Sequence, residues 1–217
     1  DWGERDMGDK QTLIEFVTWA KTNYPASHYA LYFWGHGWNW HRDYVLKDDT
    51  DKDSLNLDEL KAALPSLGFI DVVGYDGCNM ASIEVDFAWH GYATAVSSSQ
   101  EYVGWNGIEY DVVLAQLAAN PNMTADQVAI STSQSASSDK TWSAVAVDAR
   151  FDALCSLVDE LLRKSGTWRD DERLVVFTEY KTTLDYIVRR LRERYEDDRI
   201  LTLFGGMDEI ERDLVKR

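Results

Sequence analysis

The chain has 217 residues, enough for one large domain. Its 45% hydrophobic and 28% charged residues are typical of a globular protein and exclude wholesale disorder. The formal net charge of −16 disfavours non-specific binding to nucleic acid or to an anionic membrane, and no apolar run reaches the roughly 18 residues that a spanning helix needs. The two cysteines, Cys78 and Cys155, are too few for a disulfide-dense scaffold.

Charge and tryptophan content both change near residue 163. Residues 163–217 carry 13 basic and 13 acidic side chains, so the whole net charge lies in residues 1–162, which also hold eight of the nine tryptophans. This step indicates two pieces of different origin, and Ser165-Gly166 ends a helical pattern between them. We therefore predict one domain over 1–163 and a second segment over 167–217.

Apolar residues at helical spacing alternate along the chain with short apolar runs of strand length. In chain order the pattern predicts a helix at 11–23, a strand at 29–34, a helix at 57–64, a strand at 69–75, a helix at 80–89, a strand at 93–96, helices at 112–119 and 124–135, a strand at 142–147 and a helix at 151–162. This order is typical of right-handed crossovers and a mainly parallel sheet, which indicates the α/β class. In such a sheet, functional side chains lie beyond the carboxyl ends of the strands.

Two of these strand ends carry a histidine and a cysteine. His36 follows the first strand and Cys78 follows the second, each beside glycine. A thiolate attacks a carbonyl carbon, and a neighbouring imidazole favours the thiolate and can protonate the leaving amine. The backbone N–H groups of Gly37 and Cys78 are candidates for binding the oxyanion. A helix that begins at Met80 would add its amino-terminal field and favour the thiolate further.

Other histidines and cysteines have simpler interpretations. A lone cysteine is most often a small buried hydrophobe, and Cys155, inside an apolar helical stripe, is interpreted as one. A lone histidine beside glycine is more often a turn residue than a base. The joint placement of His36 and Cys78 at two adjacent crossover ends favours the catalytic interpretation for this pair.

The motifs around these two residues resemble those of the clostripain-like cysteine peptidases, relatives of the caspases and gingipains. The resemblance covers roughly residues 1–162 and rests on Tyr-Phe-Trp-Gly-His-Gly-Trp at 32–38, Asp-Asp-Thr at 48–50 before Leu-Asp-Glu-Leu at 57–60, Gly-Tyr-Asp-Gly-Cys-Asn-Met at 74–80, Ser-Gln-Glu at 99–101 and Gly-Ile-Glu-Tyr-Asp at 107–111. It implies a caspase-like α/β/α sandwich. It also implies an endopeptidase that cleaves after Arg or Lys with a His–Cys dyad at His36 and Cys78.

Two departures from the family pattern bear on this expectation. Family members usually begin with a further strand and helix upstream of the point where Asp1 stands, so we expect the sheet to lack an amino-terminal strand. The family's preference for Arg or Lys is attributed to acidic residues, of which Asp76 matches one, whereas a second position falls on Asn106. An amide carries no charge, so weaker selectivity is expected. The alternative for Asp76 is that its carboxylate caps the helix after Cys78.

Carboxylates at alternate positions between 48 and 59 leave two interpretations open. They belong to Asp48, Asp49, Asp51, Asp53 and Glu59. One interpretation is a calcium site, since calcium dependence is known among clostripain relatives. Ser54 replaces the usual glycine and Glu59 comes one position early, which favours the second interpretation, a solvated loop whose Asp53 or Ser54 caps the next helix. No cofactor is assigned, and calcium stays open.

The same loop contains two lysines, Lys47 and Lys52. Members of the resembling family can mature by cleavage between their histidine and their cysteine. We therefore hypothesise self-cleavage after one of these two lysines.

The segment after residue 172 has a different pattern. Residues 173–178 and 199–204 are predicted strands around a basic amphipathic helix at 184–195, which together make a βαβ fragment. Residues 172–217 resemble the start of the second RecA-like domain of Swi/Snf-type helicases, chiefly at 177–186 and 204–208. The sequence has no Gly-x-x-x-x-Gly-Lys-Ser/Thr motif, so ATP-driven activity is not expected from it.

These observations predict a cysteine endopeptidase with a polypeptide substrate and with neither a membrane nor a nucleic acid as partner. The alternative is a non-catalytic binding or interaction module, a degenerate peptidase fused to a helicase-domain fragment. Relatives of clostripain are commonly exported, whereas a helicase-like tail indicates the cell interior. The former favours a secreted or periplasmic location, and the oligomeric state is left unassigned.

Overall fold

The computed structural model describes residues 2–38, 44–136, 142–147, 149–164, 166–169, 171–176, 181–195, 200–204 and 207. The chain divides into two compact units, residues 1–149 and residues 150–217. This division precedes the predicted hinge at 163–167. The change of origin inferred there from charge and tryptophan content stays a prediction.

Unit 1 alternates helices and strands as the apolar pattern predicts. Its elements are α1 (Lys10–Asn23), β1 (Ala30–Trp34), β2 (Leu46–Asp48), β3 (Asp53–Leu55), α2 (Leu57–Leu67), β4 (Ile70–Asp76), α3 (Ile83–Ala88), β5 (Ala93–Ser99), α4 (Tyr110–Ala119), α5 (Ala125–Ser135) and β6 (Trp142–Ala146). The strands predicted at 29–34, 69–75, 93–96 and 142–147 are therefore confirmed as β1, β4, β5 and β6.

The central sheet has the strand order β1-β4-β5-β6 in the described residues. β1, β4 and β5 are parallel, and β6 is antiparallel to β5. The prediction of a mainly parallel sheet is confirmed. β4 is buried along nearly its whole length, which explains its continuous apolar run.

Helices cover both faces of this sheet. Val73 belongs to the core that α1, α2 and α3 form on one face, with Leu64 and Val85 among its members. The next residue back along the strand, Val72, packs with Val128 of α5 instead. Because successive strand residues point to opposite faces, the two cores lie on opposite sides of the sheet. Unit 1 is thus an α/β/α sandwich, as predicted.

One glycine of β4 leaves room for an aromatic ring of β1 to lie over the face of β4. Tyr32 of β1 pairs with Gly74, and a Cβ at Gly74 would lie 2.2 Å from the Tyr32 ring. The ring therefore lies across the neighbouring strand, and the Tyr32 hydroxyl reaches the hydroxyl of Thr132 in α5 at 2.7 Å. This arrangement fixes the position of α5 over the sheet.

Two details of unit 1 differ from the sequence predictions. Residues 46–55, expected as a loop, form the antiparallel hairpin of β2 and β3. α3 begins at Ile83 rather than at Met80, because Asn79 has a left-handed backbone with φ of 56° and Ser82 supplies the N-cap.

Unit 2 consists of two helices and a short hairpin. Its elements are α6 (Ala149–Leu162), β7 (Arg163–Lys164), β8 (Thr167–Trp168) and α7 (Lys181–Tyr195). Tyr186 of α7 is buried and its ring contacts that of Phe151 in α6, with centroids 5.9 Å apart. Among the described helices of the chain, none combines the length and apolar character needed to cross a bilayer.

The predicted βαβ fragment is present only as its helix, α7. The described parts of the two predicted strands, 173–176 and 200–204, are not paired as strands, since the described residues give them no neighbouring strand to bond with. Residues 177–180 and 208 of the helicase-like motifs lie outside the described residues, so that resemblance stays a prediction.

Candidate active site

The carboxyl ends of β1 and β4 place the two predicted catalytic residues at the same edge of the sheet. The strands pair in register up to Trp34 and Asp76, and the N–H of Gly35 donates to the carbonyl of Asp76 at 3.1 Å. His36 and Cys78 each stand two residues beyond this last pair. The two residues are therefore level with each other on adjacent loops.

Glycines bring the backbones of these two loops into contact. A Cβ at Gly77 would lie 3.0 Å from the amide nitrogen of Gly37 and 3.2 Å from the carbonyl oxygen of Gly35. A Cβ at Gly37 would lie 2.6 Å from the sulfur of Met80 and 3.1 Å from the carbonyl oxygen of Cys78. Side chains at these positions would push the loops apart, so the glycines serve close approach.

The thiol of Cys78 is partly exposed and has one defined donor. The N–H of Val103 donates to the Cys78 sulfur at 3.3 Å. This bond fixes the position of the sulfur relative to the loop after β5. Cys155 differs, since it is 0% exposed and burial raises the pKa of its thiol. The prediction that Cys155 is a buried hydrophobe is confirmed.

The loop that holds Cys78 is fixed by the loop after β5. The N–H of Asn79 donates to the carbonyl of Glu101 at 3.0 Å, and that of Ala81 donates to Ser99 at 2.9 Å. These bonds occupy the segment that was predicted to start a helix at Met80. That prediction is wrong, and Cys78 therefore does not lie directly before a helix amino terminus.

The two predicted oxyanion donors lie in this same region. Gly37 is buried, and its backbone packs against that of the Cys78 loop. Within the described part of the chain, the N–H groups of Gly37 and Cys78 have no acceptor. Neither N–H group is therefore committed to a bond within the described residues.

Asp76 lies just before the cysteine and is 4% exposed. Its Oδ2 accepts hydrogen bonds from the N–H of Ile108 at 3.2 Å and from the hydroxyl of Tyr110 at 3.1 Å. Burial and the nearby Asp76 carboxylate both raise the pKa of Tyr110, so the phenol stays protonated and donates. The alternative that Asp76 caps α3 is wrong, because Ser82 holds that position.

A turn after β5 closes over the Asp76 carboxylate. Gly107, with φ of 51°, faces it so closely that a Cβ there would lie 2.4 Å from Oδ1. Asn106, the predicted partner of Asp76, precedes this glycine and is exposed. Sequence reasoning assigned no role to Gly107 or Tyr110, although both belong to a motif that carried the family resemblance.

Aromatic rings surround the thiol loop. The rings of Trp38 and Tyr102 meet edge to face with centroids 5.4 Å apart. Trp38 directly follows Gly37 in sequence, and Tyr102 directly precedes Val103. Trp34, the last residue of β1, and Trp105, in the turn before Gly107, are both exposed. The sequence analysis assigned none of them, since a scattered aromatic carries no signal of its own.

Of the five carboxylates for which calcium was left open, two, Asp48 and Asp51, come together in the structure. In the described residues, the carboxylates that come together are those of Glu4, Asp48 and Asp51, with ligand atoms within 4.8 Å. Both oxygens of Asp48 already accept backbone N–H groups, from Met7, Thr50 and Asp51. These contacts fit a turn anchor better than a cation site, so no metal is assigned.

Glu59 and the predicted helix caps also have other roles. Glu59 forms a capping box with Asn56 at the start of α2, in which each side chain accepts from the backbone N–H of the other residue. Asp53 and Ser54 lie in β3 instead. The prediction that one of them caps this helix is therefore wrong, because the hairpin moves the cap to Asn56.

Comparison with known proteins places the chain in a family. A model of the clostripain family matches residues 2–204, which extends beyond the 1–162 expected from the motifs. Clostripain of Hathewaya histolytica is 25% identical over an alignment of 137 positions, which covers 54% of this chain and 26% of that protein. The chain thus spans about a quarter of that relative's length.

Solved structures of two family members share the fold. A secreted C11 cysteine protease from Bacteroides thetaiotaomicron, in complex with an irreversible peptide inhibitor, aligns with a TM-score of 0.59 and 21% identity, covering 73% of this chain and 50% of its own. An inactive zymogen C11 protease from Parabacteroides distasonis aligns with a TM-score of 0.56 and 20% identity, covering 75% and 46%. These likenesses confirm the caspase-like sandwich, and the chain belongs to the clostripain family.

Proposed function

We propose that this chain carries the active site of a cysteine endopeptidase that hydrolyses peptide bonds after Lys or Arg, with Cys78 as nucleophile and His36 as acid and base. The observation that carries the proposal is the pairing of β1 with β4 up to Trp34 and Asp76, which sets the two loops in backbone contact. Membership of the clostripain family supports the same chemistry.

The first half-reaction begins at the thiol. His36 accepts the proton of Cys78, and the thiolate attacks the carbonyl carbon of the substrate peptide bond. The carbonyl oxygen becomes an oxyanion, which accepts hydrogen bonds from the N–H groups of Gly37 and Cys78. His36 then returns the proton to the leaving amine, the C–N bond breaks, and an acyl-enzyme thioester remains.

Water completes the reaction. His36 removes a proton from a water molecule, which attacks the thioester carbonyl through a second oxyanion held by the same two N–H groups. The C–S bond breaks, and the carboxylic acid product leaves with Cys78 restored. The Val103 N–H, 3.3 Å from the sulfur, stabilises the thiolate as it forms and as it departs.

Asp76 and Asn106 are proposed to receive the basic side chain of the residue that supplies the cleaved carbonyl, the acyl-side residue. The Asp76 carboxylate supplies the charge, and it lies two residues from the nucleophile. Asn106 is exposed, directly precedes the Gly107 that lies against this carboxylate, and offers an uncharged acceptor. One buried carboxylate is sufficient to favour a cation over a neutral side chain.

Mutation of the two cysteines tests the proposal directly. The native chain is incubated with peptides that contain a single internal Lys, Arg or norleucine, and fragments are identified by mass spectrometry. We expect cleavage after Lys and Arg, none after norleucine, and none at all in Cys78→Ala or His36→Ala. Cys155→Ala, the matched control at the buried cysteine, is expected to keep its activity.

The same experiment separates the enzyme from the alternative. If the native chain leaves every peptide intact but binds the Lys peptide, with the same affinity as Cys78→Ala, the result would favour a non-catalytic binding module. Activity that survives Cys78→Ala would overturn the nucleophile assignment.

Self-cleavage after Lys47 or Lys52 is proposed for the same active site. Lys47 lies inside β2 and pairs with Ser54, whereas Lys52 stands in the turn with φ of 59°. Cleavage at the turn breaks fewer strand hydrogen bonds, so Lys52 is the favoured position. Intact mass should show two fragments in the native chain and in Lys47→Gln, and a single chain in Lys52→Gln and Cys78→Ala. Fragments that persist in Lys52→Gln would exclude this position.

Export is proposed as the cellular setting. It rests on the Bacteroides thetaiotaomicron relative, which is described as secreted. Fractionation of the source cells tests it, and recovery of the chain with cytoplasmic markers would contradict it.

A further inference from the structure

The Asp76 carboxylate offers a substrate only one of its two oxygens. Oδ2 already accepts from the Ile108 N–H and from the Tyr110 hydroxyl, at 3.2 and 3.1 Å. Two donors fill the two lone pairs of that oxygen. In the part of the chain that the structure describes, Oδ1 accepts no hydrogen bond.

The absence of a side chain at Gly107 lets the turn lie directly against the carboxylate, where a Cβ would also meet Oδ2 at 2.7 Å. A Cβ at that position would lie 2.4 Å from Oδ1, and the left-handed φ of 51° suits glycine. The carboxylate thus combines one oxygen that accepts two hydrogen bonds with one oxygen that accepts none within the described residues.

Lys and Arg use a carboxylate differently. The guanidinium of Arg forms its strongest pair with both oxygens at once, through two parallel N–H groups in a fixed fork. The ammonium of Lys is a compact charge that needs only one carboxylate oxygen and can turn its other donors toward water or other acceptors. With Oδ2 occupied, the fork pairing is closed to Arg while the single contact stays open to Lys.

We propose that this pocket selects Lys over Arg, and that Tyr110 is the positioning residue that sets the preference by occupying Oδ2. The inference rests on the proposed function and narrows its substrate class. Loss of one hydrogen bond to a charged group corresponds to roughly tenfold or more, so the Lys peptide should exceed the matched Arg peptide in kcat/KM by about that factor.

A pair of Tyr→Phe variants tests the proposal. Tyr110→Phe removes the hydroxyl that occupies Oδ2, so one lone pair of that oxygen becomes free for the Arg fork and the Lys-to-Arg ratio of kcat/KM should fall toward one. Tyr32→Phe is the matched control, because its ring meets that of Tyr110 edge to face at 5.5 Å while its hydroxyl bonds to Thr132. Its ratio should equal the native one.

Each outcome decides one of the two proposals. Cleavage with equal or higher kcat/KM for Arg, or a ratio that Tyr110→Phe leaves unchanged, overturns the Lys preference while the peptidase proposal stands. If no peptide is cleaved, the peptidase proposal fails. The preference is then judged by calorimetric binding of peptides that end in Lys or Arg to Cys78→Ala, where tighter binding of the Lys peptide supports it and any other result overturns it.

Discussion

Gly107 shows how one missing side chain can control access to a charge. Gly107→Ala places a methyl group against Oδ1 of Asp76, at a distance of 2.4 Å before any relaxation. We predict that kcat/KM for Lys peptides falls by about tenfold or more, because the cation can no longer approach the carboxylate. Hydrolysis of matched Lys peptides by the variant checks this.

The control for this change is Gly91→Ala. Gly91 also has a left-handed backbone, with φ of 79°, but nothing lies within 4 Å of its Cβ position. It therefore reproduces the backbone strain without the obstruction, so it should lose less thermal stability than Gly107→Ala. An equal loss of activity in the two variants would assign the effect to strain and contradict the prediction.

The placement of the proposed catalytic pair was predictable from the sequence, whereas the residues that contact its surroundings were not. His36 and Cys78 follow apolar runs that can only be buried strands of one sheet, and parallel strands bring their carboxyl ends together. Tyr110 and Val103 reach Asp76 and Cys78 from 34 and 25 residues away. Contacts of that range depend on how a turn packs, and no periodicity encodes it.

Among the elements, β4 contains a glycine, Gly74, whose missing side chain leaves room for the ring of Tyr32. Gly74→Ala would place its Cβ 2.2 Å from the Tyr32 ring, which is held at its far end by Thr132. We predict a loss of about 1–3 kcal/mol in the free energy of unfolding, the usual cost of overpacking. Urea denaturation measures it, with Gly104→Ala as control because nothing lies within 4 Å of that Cβ position. Equal midpoints for the two variants would contradict the prediction.

The β2–β3 hairpin depends on one buried carboxylate. The N–H groups of Met7, Asp51 and Thr50 donate to Asp48 and lower its pKa below the usual 3.8, although burial opposes the shift. A lowered pKa means that the ionised group stabilises the fold above the unfolded value. That contribution is lost as the pH falls through the lower, folded value.

We therefore predict that Asp48→Asn melts at a lower temperature than the native chain at pH 7, and that the gap narrows below pH 3.8. The amide also relieves repulsion with Glu4, but three N–H donors lose their anionic acceptor, so the loss should dominate. Thermal denaturation monitored by circular dichroism between pH 2.5 and 7 measures the gap. Asp49→Asn is the control, because Asp49 is exposed and contacts only Lys47 among the described residues. A gap that stays constant with pH would argue against the anchor role.

Element type was predictable here, but strand direction and short hairpins were not. The apolar run at 142–147 identifies β6 as a strand, yet a buried strand has the same pattern whether it runs parallel or antiparallel. β2 and β3 have three residues each, too few for an alternation to be detected. In unit 2 the helix α7 was predicted from its periodicity. The strands predicted on either side of it form only if another strand pairs with them, and an apolar pattern does not show whether one does.

At the scale of the whole molecule, the negative charge lies in the same segment as the candidate active site. The whole net charge of −16 lies in residues 1–162, and the candidate active site lies within residues 36–110 of that segment. A field of this sign attracts cationic peptides and raises their rate of encounter. Since the field is screened by salt, it can be separated from the local contact at Asp76, which is buried and screened much less.

We predict that kcat/KM for a peptide of positive net charge falls several-fold as the ionic strength rises from about 0.01 M to about 0.1 M, because the Debye length shrinks from about 30 Å to about 10 Å. A second peptide with the same acyl-side Lys but acidic flanking residues should lose nothing or gain, since salt relieves its repulsion. Initial rates for both peptides at each ionic strength measure the difference. The same salt response in both would mean that the local cation contact, rather than the field of the molecule, controls the rate.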